Sequence, residues 1–284
     1  MKRCRLVVAA CVLLLVASAH AAQVSKVLIG FCVGLKGLEG AKAAGFDYAE
    51  LATTEITGLS DADFDAAVEQ AQKVGLPTPN ANLFLPGTLR LTGPDAVSPE
   101  EQLAYVKKAF TRLNRLRVRT LCFGSGGARR VPDGFSKEAA FAQLVAFGKR
   151  IAPEAKANGI TVVIEPLRRQ ETNIINTTAE GLALVKAVDH PNFELLIDFY
   201  HLASEKEDPA IILEARDHIR HLHMANPEGR IFPQRWEEYD YAPFFANLRR
   251  IGYTGGISVE ASSKDIPTEA PRAIALLRRA FTEQ

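Results

Sequence analysis

Several features that are common in binding proteins are scarce or absent in this sequence. Its 284 residues include four cysteines and one tryptophan, and 34 basic residues nearly balance 33 acidic ones. Because a near-neutral chain lacks the basic surface that nucleic acids require, we expect no nucleic-acid partner. The first predicted strand leads into Gly30-Phe31-Cys32-Val33-Gly34 rather than a Gly-x-Gly-x-x-Gly loop, which argues against a doubly wound dinucleotide-binding sheet.

The apolar run near the N-terminus, over residues 6–16, is too short to span a bilayer. Basic residues precede it and a small-x-small sequence ends at Ala21, which is the pattern of a secretory signal peptide over residues 1–21. We therefore expect a periplasmic or secreted protein with no membrane association after cleavage. A lipoprotein modified at Cys11 is the alternative, but it would leave almost no apolar segment before that cysteine.

Two cysteines, Cys32 and Cys122, lie outside the predicted signal peptide. Both stand in apolar strand-like segments, where a free thiol packs as a small hydrophobic group. We expect two buried thiols. A disulfide between them is the alternative in an oxidising compartment, and sequence spacing alone does not decide its geometry.

Strand-like and helix-like segments alternate through residues 22–284, without a low-complexity linker or a shift in composition. This alternation and length are typical of an α/β protein folded as a single (β/α)₈ TIM barrel, and we take residues 22–284 as one domain. The predicted strands are Val27–Cys32, Tyr48–Leu51, Thr78–Phe84, Thr120–Gly124, Thr161–Glu165, Phe193–Asp198, His218–His223 and Gly256–Glu260. The predicted helices are Gly37–Ala44, Asp61–Val74, Pro99–Leu116, Lys137–Asn158, Thr178–Val188, Ala210–Arg216, Ala242–Ile251 and Thr268–Phe281.

The last four predicted strands each end in a possible metal ligand: Glu165, Asp198, His223 and Glu260. A closed barrel gathers the C-terminal ends of its strands at one mouth, so these side chains should meet there. Any one of them alone could be a helix cap or an ion-pair partner. Three carboxylates and one imidazole together suit one divalent ion, for which Mn²⁺, Mg²⁺ and Co²⁺ are the candidates and Zn²⁺ is a further one.

Four short sequences give the chain a family resemblance: Ile164-Glu165-Pro166, then IDFYH, HLHMAN and ISVE at the next three strand ends. They resemble the xylose isomerase-like TIM-barrel family of sugar isomerases and epimerases, over essentially all of residues 22–284. Within that family the likeness is to the ketose 3-epimerase group, which also includes hydroxypyruvate isomerases and inosose dehydratases.

This resemblance implies roles for particular residues. The positions matching Glu165, Asp198, His223 and Glu260 hold a divalent metal in the family, and those matching Glu165 and Glu260 also form the acid/base pair. The resemblance further implies that Glu171, His201 and Arg230 contact the substrate. The spacing before Arg230 is one residue longer than the family pattern.

The expected reaction follows from two opposed carboxylates beside a cation. One carboxylate removes a proton next to a carbonyl, the cation stabilises the resulting enediolate, and the proton returns on the other face or to the neighbouring carbon. We therefore expect an epimerase or isomerase of a small keto sugar or sugar derivative. The alternative is a lyase or dehydratase that acts on a 3-keto-glycoside or an inosose with the same site.

Two other functions are weaker alternatives. A nuclease of the endonuclease IV type shares the fold but needs more histidine ligands and a basic groove, and a non-catalytic sugar-binding protein would not need two opposed carboxylates. The sequence leaves open whether the chain forms a homo-oligomer.

Three segments allow more than one interpretation. Glu50, at the end of the second predicted strand, is assigned to substrate binding, with a structural ion pair as the alternative. The glycines and two arginines of residues 124–130 suggest either a solvated flexible loop or a phosphate site. Phe232, Trp236 and Tyr239 form either a lid and sugar-stacking wall or a packing layer on the barrel.

Overall fold

Eight parallel strands close into a barrel in the order β1 to β8, so that β1 pairs with both β2 and β8. The computed structural model describes residues 27–282; the predicted signal peptide and residues 22–26, 283 and 284 lie outside it. The single (β/α)₈ fold is confirmed. The strands are β1 (Ile29–Val33), β2 (Tyr48–Ala52), β3 (Asn80–Asn82), β4 (Thr120–Phe123), β5 (Thr161–Ile164), β6 (Phe193–Asp198), β7 (Ile219–Met224) and β8 (Ile257–Val259).

Helices surround this barrel and follow its strands. Serine side chains cap three of the long helices: Ser60, Ser98 and Ser136 each accept a hydrogen bond from the backbone N–H three residues on. No helix among residues 27–282 is long and apolar enough to cross a membrane. The helices are α1 (Leu38–Ala43), α2 (Thr53–Gly58), α3 (Asp61–Val74), α4 (Pro99–Arg115), α5 (Gly126–Arg129), α6 (Lys137–Ala157), α7 (Thr178–Val188), α8 (Phe199–Ser204), α9 (Ile211–Ala215), α10 (Ala242–Arg250) and α11 (Ile266–Thr282).

The structure differs from the predicted elements mainly at strand ends and in loops. The third strand is shorter than predicted at both ends. Pairing starts at Asn80, because Pro79 has no N–H to donate, and the strand ends at Asn82, because Leu83 has a left-handed backbone with a φ of 48°. Strands β5 and β8 end one residue early, so that Glu165 and Glu260 are the first residues beyond them. The short helices α2, α5 and α8, each of which lies between a strand and the next predicted helix, were not predicted.

The barrel interior holds a small apolar cluster as well as buried polar side chains from β2, β7 and β8. Cys122, Val163 and Leu196 form a small buried cluster of their own. The ring of Tyr48 lies close to Gly30 of β1, and its hydroxyl end lies close to Gly256, which precedes β8. A Cβ atom built on Gly30 would fall 2.0 Å from that ring. A glycine there therefore makes room for a large aromatic side chain inside the barrel.

The aromatic residues of the loop after β7 pack against the outer layers of the barrel. Phe232 is buried and contacts Phe31 edge to face, with 5.3 Å between ring centroids. The ring of Trp236 lies 5.5 Å from that of Tyr241 and 6.0 Å from that of Phe245. Of the two predicted roles, the structure therefore favours packing over a sugar-stacking wall.

Candidate metal and catalytic site

The four predicted metal ligands lie together at the C-terminal mouth of the barrel. Glu165, Asp198, His223 and Glu260 each offer one ligand atom, and these atoms all lie within 4.8 Å of one another. The first three are buried and Glu260 is partly exposed. The structure thus brings together residues that are spread over the last four strands, as the strand-end pattern predicts.

His223 lies at the centre of this group. Its Nδ1 atom is 3.1 Å from Oε1 of Glu165 and 3.1 Å from Oε2 of Glu260. Its Nε2 atom faces the other way, 3.0 Å from Oε1 of Glu50 and 3.9 Å from the sulfur of Cys32. Burial alone would lower the pKa of His223, but the surrounding acidic groups, Glu50 first, raise it well above its ordinary value.

The buried carboxylates of the group have opposite pKa shifts. Burial alone would raise the pKa of Glu165, but the hydrogen bond and charge of His223, with the charges of His201 and Arg230, lower it to about 2. Burial dominates at Asp198 and raises the pKa of that carboxyl to about 6, although the charge of His201 opposes the shift. Burial and neighbouring charge therefore shift the pKa values of two carboxyl groups of one cluster in opposite directions.

One carboxylate oxygen of Asp198 accepts a hydrogen bond, and the other does not. Its Oδ1 atom accepts a hydrogen bond of 2.9 Å from the backbone N–H of Tyr200 and so caps α8. Its Oδ2 atom is buried and has no hydrogen-bond partner among the described residues, and the same holds for Nε2 of His201. Since a buried oxygen without a partner is costly, this donor set fits a hard divalent cation, with Asp198 Oδ2 as one of its ligands.

Glu260 is held from two sides. The amide of Asn82 donates a hydrogen bond of 2.9 Å to its Oε1 atom, and the guanidinium of Arg230 donates one of 2.6 Å to Oε2. Beside this carboxylate lies a cavity of about 280 Å³ whose walls include Cys32 and Leu83. Glu260 is therefore positioned at the boundary between the cation ligands and an open space.

The three residues that the resemblance assigns to substrate binding also lie at this mouth. Glu171 accepts a hydrogen bond of 2.8 Å from Nε of Arg168 and lies 3.7 Å from Arg230. His201 accepts a hydrogen bond of 3.1 Å at Nδ1 from the backbone N–H of Arg168. Its other ring nitrogen then carries the proton and lies 3.7 Å from Oδ2 of Asp198, as a donor without an acceptor in the protein.

Glu50 is not placed for the substrate contact that the sequence predicts. It is fully buried, and its two oxygens accept hydrogen bonds from His221, His223 and Ser258. Both oxygens are buried and bonded inside the barrel, so neither is accessible to a sugar hydroxyl, and the alternative prediction, a structural ion pair, describes its contacts. His221 lies one layer below His223, as the two-residue spacing on a strand predicts.

The arginines after β4 do not form the phosphate site that the glycine-rich segment suggested. Arg129 is fully buried in the short helix α5 and donates hydrogen bonds to backbone carbonyls, including one of 2.7 Å to that of Glu165. Arg130 is exposed and donates to the carbonyl of Glu171. Both guanidinium groups therefore shape the loops around the site instead of meeting a ligand.

Cys122 is a further contact that the sequence did not reveal. Its buried thiol donates a hydrogen bond of 3.1 Å to Oε2 of Glu165, and burial raises the pKa of this thiol so that it keeps its proton. Cys32 and Cys122 are both free. The sequence would have indicated this contact only if it showed that the side chain of Cys122 faces the barrel interior. Strand β4 has four residues, too few for the alternation of its side chains to show which of them face inward.

The sequence profile of the family described as "Xylose isomerase-like TIM barrel" matches residues 38–280. The chain belongs to this family. It is 31% identical over 232 residues to an L-ribulose 3-epimerase from Methylomonas sp. (strain DH-1), a match that covers 81% of this chain and 79% of the relative. The crystal structure of a D-allulose 3-epimerase from Methylomonas sp. superposes with a TM-score of 0.79 at 27% identity, covering 90% of this chain and 98% of that one.

A shorter match is to the 3-dehydro-D-guloside 4-epimerase of Escherichia coli (strain K12), with 28% identity over 140 residues. It covers 48% of this chain and 53% of that protein. These relatives confirm the prediction that the family member described here is an enzyme of the isomerase and epimerase class.

Proposed function

We propose that this enzyme is a divalent-cation-dependent epimerase or isomerase of an unphosphorylated keto sugar. The observation that carries the proposal is the convergence of Glu165 and Glu260, from β5 and β8, on one ring nitrogen of His223, at 3.1 Å each. Two carboxylates that approach one point from separate strands can serve opposite faces of a substrate carbon. The named 3-epimerase relatives support the same reaction class.

Each side chain of the site has a task in this reaction. A bound cation, held by Glu165, Asp198, His223 and Glu260, would supply Lewis-acid stabilisation of negative charge at the substrate oxygens. Glu165 is ionised at neutral pH, since its pKa is lowered to about 2, and so can accept a proton from carbon. Glu260 returns a proton from the opposite side, and Arg230 holds this carboxylate in place.

His201 and Glu171 bind the substrate in this proposal. The Nε2–H of His201 is buried beside Asp198 and Glu165 and can donate to a substrate oxygen. Glu171 is held by Arg168 at the rim, where it can accept from a hydroxyl group. Both contacts orient a polyhydroxylated substrate, because each fixes one oxygen relative to the two carboxylates.

The charges around the cavity favour a substrate without phosphate. Arg230 is the only cationic residue among those that line the cavity within residues 27–282, and it is already paired with Glu260. Arg129 is buried against carbonyl groups and Arg130 is turned to the carbonyl of Glu171. A phosphate would therefore meet the carboxylates of the site without a free guanidinium to balance it.

The test is a panel of keto sugars and keto-glycosides incubated with the Mn²⁺-loaded protein in deuterated water. We expect deuterium at one carbon of the recovered substrate and product, with no mass change other than the label. Glu165→Gln and Glu260→Gln should each lose at least about 10³-fold in exchange, as expected when an essential proton-transfer group is removed. Full exchange in both variants would refute the acid/base pair, and release of water or an aglycone would identify a lyase.

We also propose that residues 22–284 act outside the cytoplasm after removal of residues 1–21. The basic start, apolar run and small-x-small sequence of that segment support this proposal. N-terminal sequencing of the chain recovered from a periplasmic fraction tests it, and an intact Met1 in that fraction would contradict cleavage.

A further inference from the structure

The side chain of Glu50 is a buried carboxylate in the middle of β2, with none of its surface exposed to solvent. It accepts hydrogen bonds from Nε2 of His221 at 2.7 Å, from Nε2 of His223 at 3.0 Å and from Oγ of Ser258 at 2.6 Å. Burial of a carboxylate is costly, and three donors to one group compensate for it. These three hydrogen bonds hold Glu50 and the side chains of His221, His223 and Ser258 in one arrangement.

The imidazole ring of His223 lies between one carboxylate on its Nε2 side and two carboxylates on its Nδ1 side. Its Nε2 atom faces Glu50, and its Nδ1 atom faces Glu165 and Glu260. A carboxylate only accepts, so the Nε2 atom carries a proton in the bond to Glu50. In the neutral ring the Nδ1 atom then has its lone pair directed at the predicted cation ligands.

We propose that Glu50 is a positioning residue that fixes the tautomer and orientation of His223 as a ligand of the divalent cation. The inference rests on the proposed function in one respect, that His223 binds the cation. Glu50 has no contact with the substrate cavity and acts only through the imidazole. Histidine ligands commonly donate their second N–H to a carboxylate, and loss of that partner weakens cation affinity.

Glu50 is also held through β8, a strand that does not pair with β2. Oγ of Ser258, on β8, lies 3.0 Å from the hydroxyl of Tyr48 and 3.2 Å from Nε2 of His221. The carboxylate of Glu50, which β2 carries, therefore has partners on both β7 and β8. Because both of its oxygens are hydrogen-bonded, the carboxylate of Glu50 cannot rotate freely. The orientation of the His223 ring, which is bonded to it, is therefore fixed as well.

The matched control is Glu194, a second buried carboxylate with a histidine partner at the other end of the barrel. It is 6% exposed, lies near the start of β6, and has Oε2 2.9 Å from Nδ1 of His218 and Oε1 3.0 Å from Arg220. Glu194→Gln disturbs the same kind of pair as Glu50→Gln, but far from the cation ligands.

The experiment measures Mn²⁺ affinity by calorimetry for the whole protein and for Glu50→Gln and Glu194→Gln. A glutamine has one acceptor oxygen, so at position 50 its NH₂ group must face Nε2 of His221 or of His223, and that ring must turn or change its tautomer. We expect Glu50→Gln to bind Mn²⁺ about 10- to 100-fold more weakly and Glu194→Gln to bind within twofold of the parent. Saturating Mn²⁺ should restore turnover to Glu50→Gln with an unchanged KM for the sugar.

Equal Mn²⁺ affinity in the parent and Glu50→Gln would overturn the proposal for Glu50 while leaving the proposed function intact. An equal loss in both variants would also overturn it, because the effect would then be general destabilisation. A parent that binds no Mn²⁺ would overturn both.

If Glu50→Gln does not fold, ¹⁵N NMR of the Mg²⁺-loaded parent is the second test. It measures which ring nitrogen of His223 carries the proton. A proton on Nε2 supports the inference, and a proton on Nδ1 contradicts it.

Discussion

The guanidinium of Arg230 donates a hydrogen bond of 2.6 Å to Oε2 of Glu260. The same group lies 3.8 Å from Oδ2 of Asp198 and stacks on the ring of Tyr200, 4.6 Å from its centroid. The backbone of Arg230 has a φ of 47°, a left-handed conformation that costs a non-glycine residue about 1 kcal/mol or more. Arg230 is therefore a fixed positive charge between two carboxylates.

We predict that Arg230→Met lowers kcat/KM by about 10²-fold or more, because the carboxylate of Glu260 loses the donor that orients it. Steady-state kinetics with saturating Mn²⁺ measures the change. The control is Arg220→Met, which removes an arginine bonded to Glu194 at 3.0 Å, away from the mouth, and should keep kcat/KM within twofold. An equal loss in both variants would mean that the effect is on folding rather than on the site.

Asp198 should make the stability of the cation-free protein depend on pH. Burial raises the pKa of Asp198 in the folded chain to about 6, from an ordinary 3.8. Between these values the folded state binds a proton that the unfolded state does not. The stability from this group is thus fully present below the ordinary value and is lost as the pH rises through about 6.

We therefore predict that Asp198→Asn without a cation is about 2 kcal/mol more stable than the parent at pH 7.5, and that the difference disappears near pH 4. Urea unfolding in the presence of a chelator measures both values. Added Mn²⁺ should reverse the order at pH 7.5, because it stabilises the parent by binding its folded state and the variant lacks one charged ligand. A variant that is less stable than the parent in the chelator at pH 7.5 would contradict the argument.

Arg129 should matter for stability far more than its neighbour Arg130. The buried guanidinium donates to the carbonyl of Glu165 at 2.7 Å and to that of Phe123 at 3.3 Å. We predict that Arg129→Met lowers the free energy of unfolding by about 3 kcal/mol, since it leaves buried carbonyl oxygens without donors. Arg130→Met should change it by less than about 0.5 kcal/mol, as surface substitutions usually do. Similar urea midpoints for the two variants would refute this distinction.

The strand-end ligands were predictable from the sequence because a parallel barrel imposes a simple rule. Each of the last four strands has a carboxylate or imidazole at its C-terminal end or within one residue of it, and parallel strands bring these ends to one mouth. The rule needs no knowledge of loops or of side-chain conformations. It therefore placed Glu165, Asp198, His223 and Glu260 correctly relative to one another.

The role of Glu50 was not predictable in the same way. Its strand has buried residues at four of five positions, so burial does not tell which side chains face the barrel interior. The residue also lies two positions before the end of β2, not at its end. Its partners are on β7 and β8, more than 170 residues away in the chain, and only the closed barrel brings them together.

Arg129 shows why side-chain roles in the loops were harder to predict from the sequence than those in the strands. An arginine after a glycine pair indicates a solvated or anion-binding loop, because arginine is seldom fully buried. Here α5 carries the guanidinium into the space beneath the loop of β5, where carbonyl oxygens replace water. The carbonyls that make this possible come from the ends of β4 and β5, and the sequence does not show that they face Arg129.

The two free thiols supply a further prediction. Cys32 is partly exposed and lines the cavity beside Glu260, whereas Cys122 is 2% exposed and bonded to Glu165. Burial raises the pKa of both thiols, Cys32 included, so reaction with a disulfide reagent at pH 7.5 should be slow. We predict that one thiol of the 22–284 chain reacts in the native protein and that two react in urea.

Cys32→Ser should remove the native reaction, and Cys122→Ser should leave it unchanged. A keto sugar bound in the cavity together with Mn²⁺ should slow the modification of Cys32, because the substrate would cover the wall on which the thiol lies. If no thiol reacts even in urea, the two cysteines are joined by a disulfide and the alternative pairing is correct. If Cys122 is the residue that reacts first, the thiol does not remain bonded to Glu165, and that contact has no part in positioning the carboxylate.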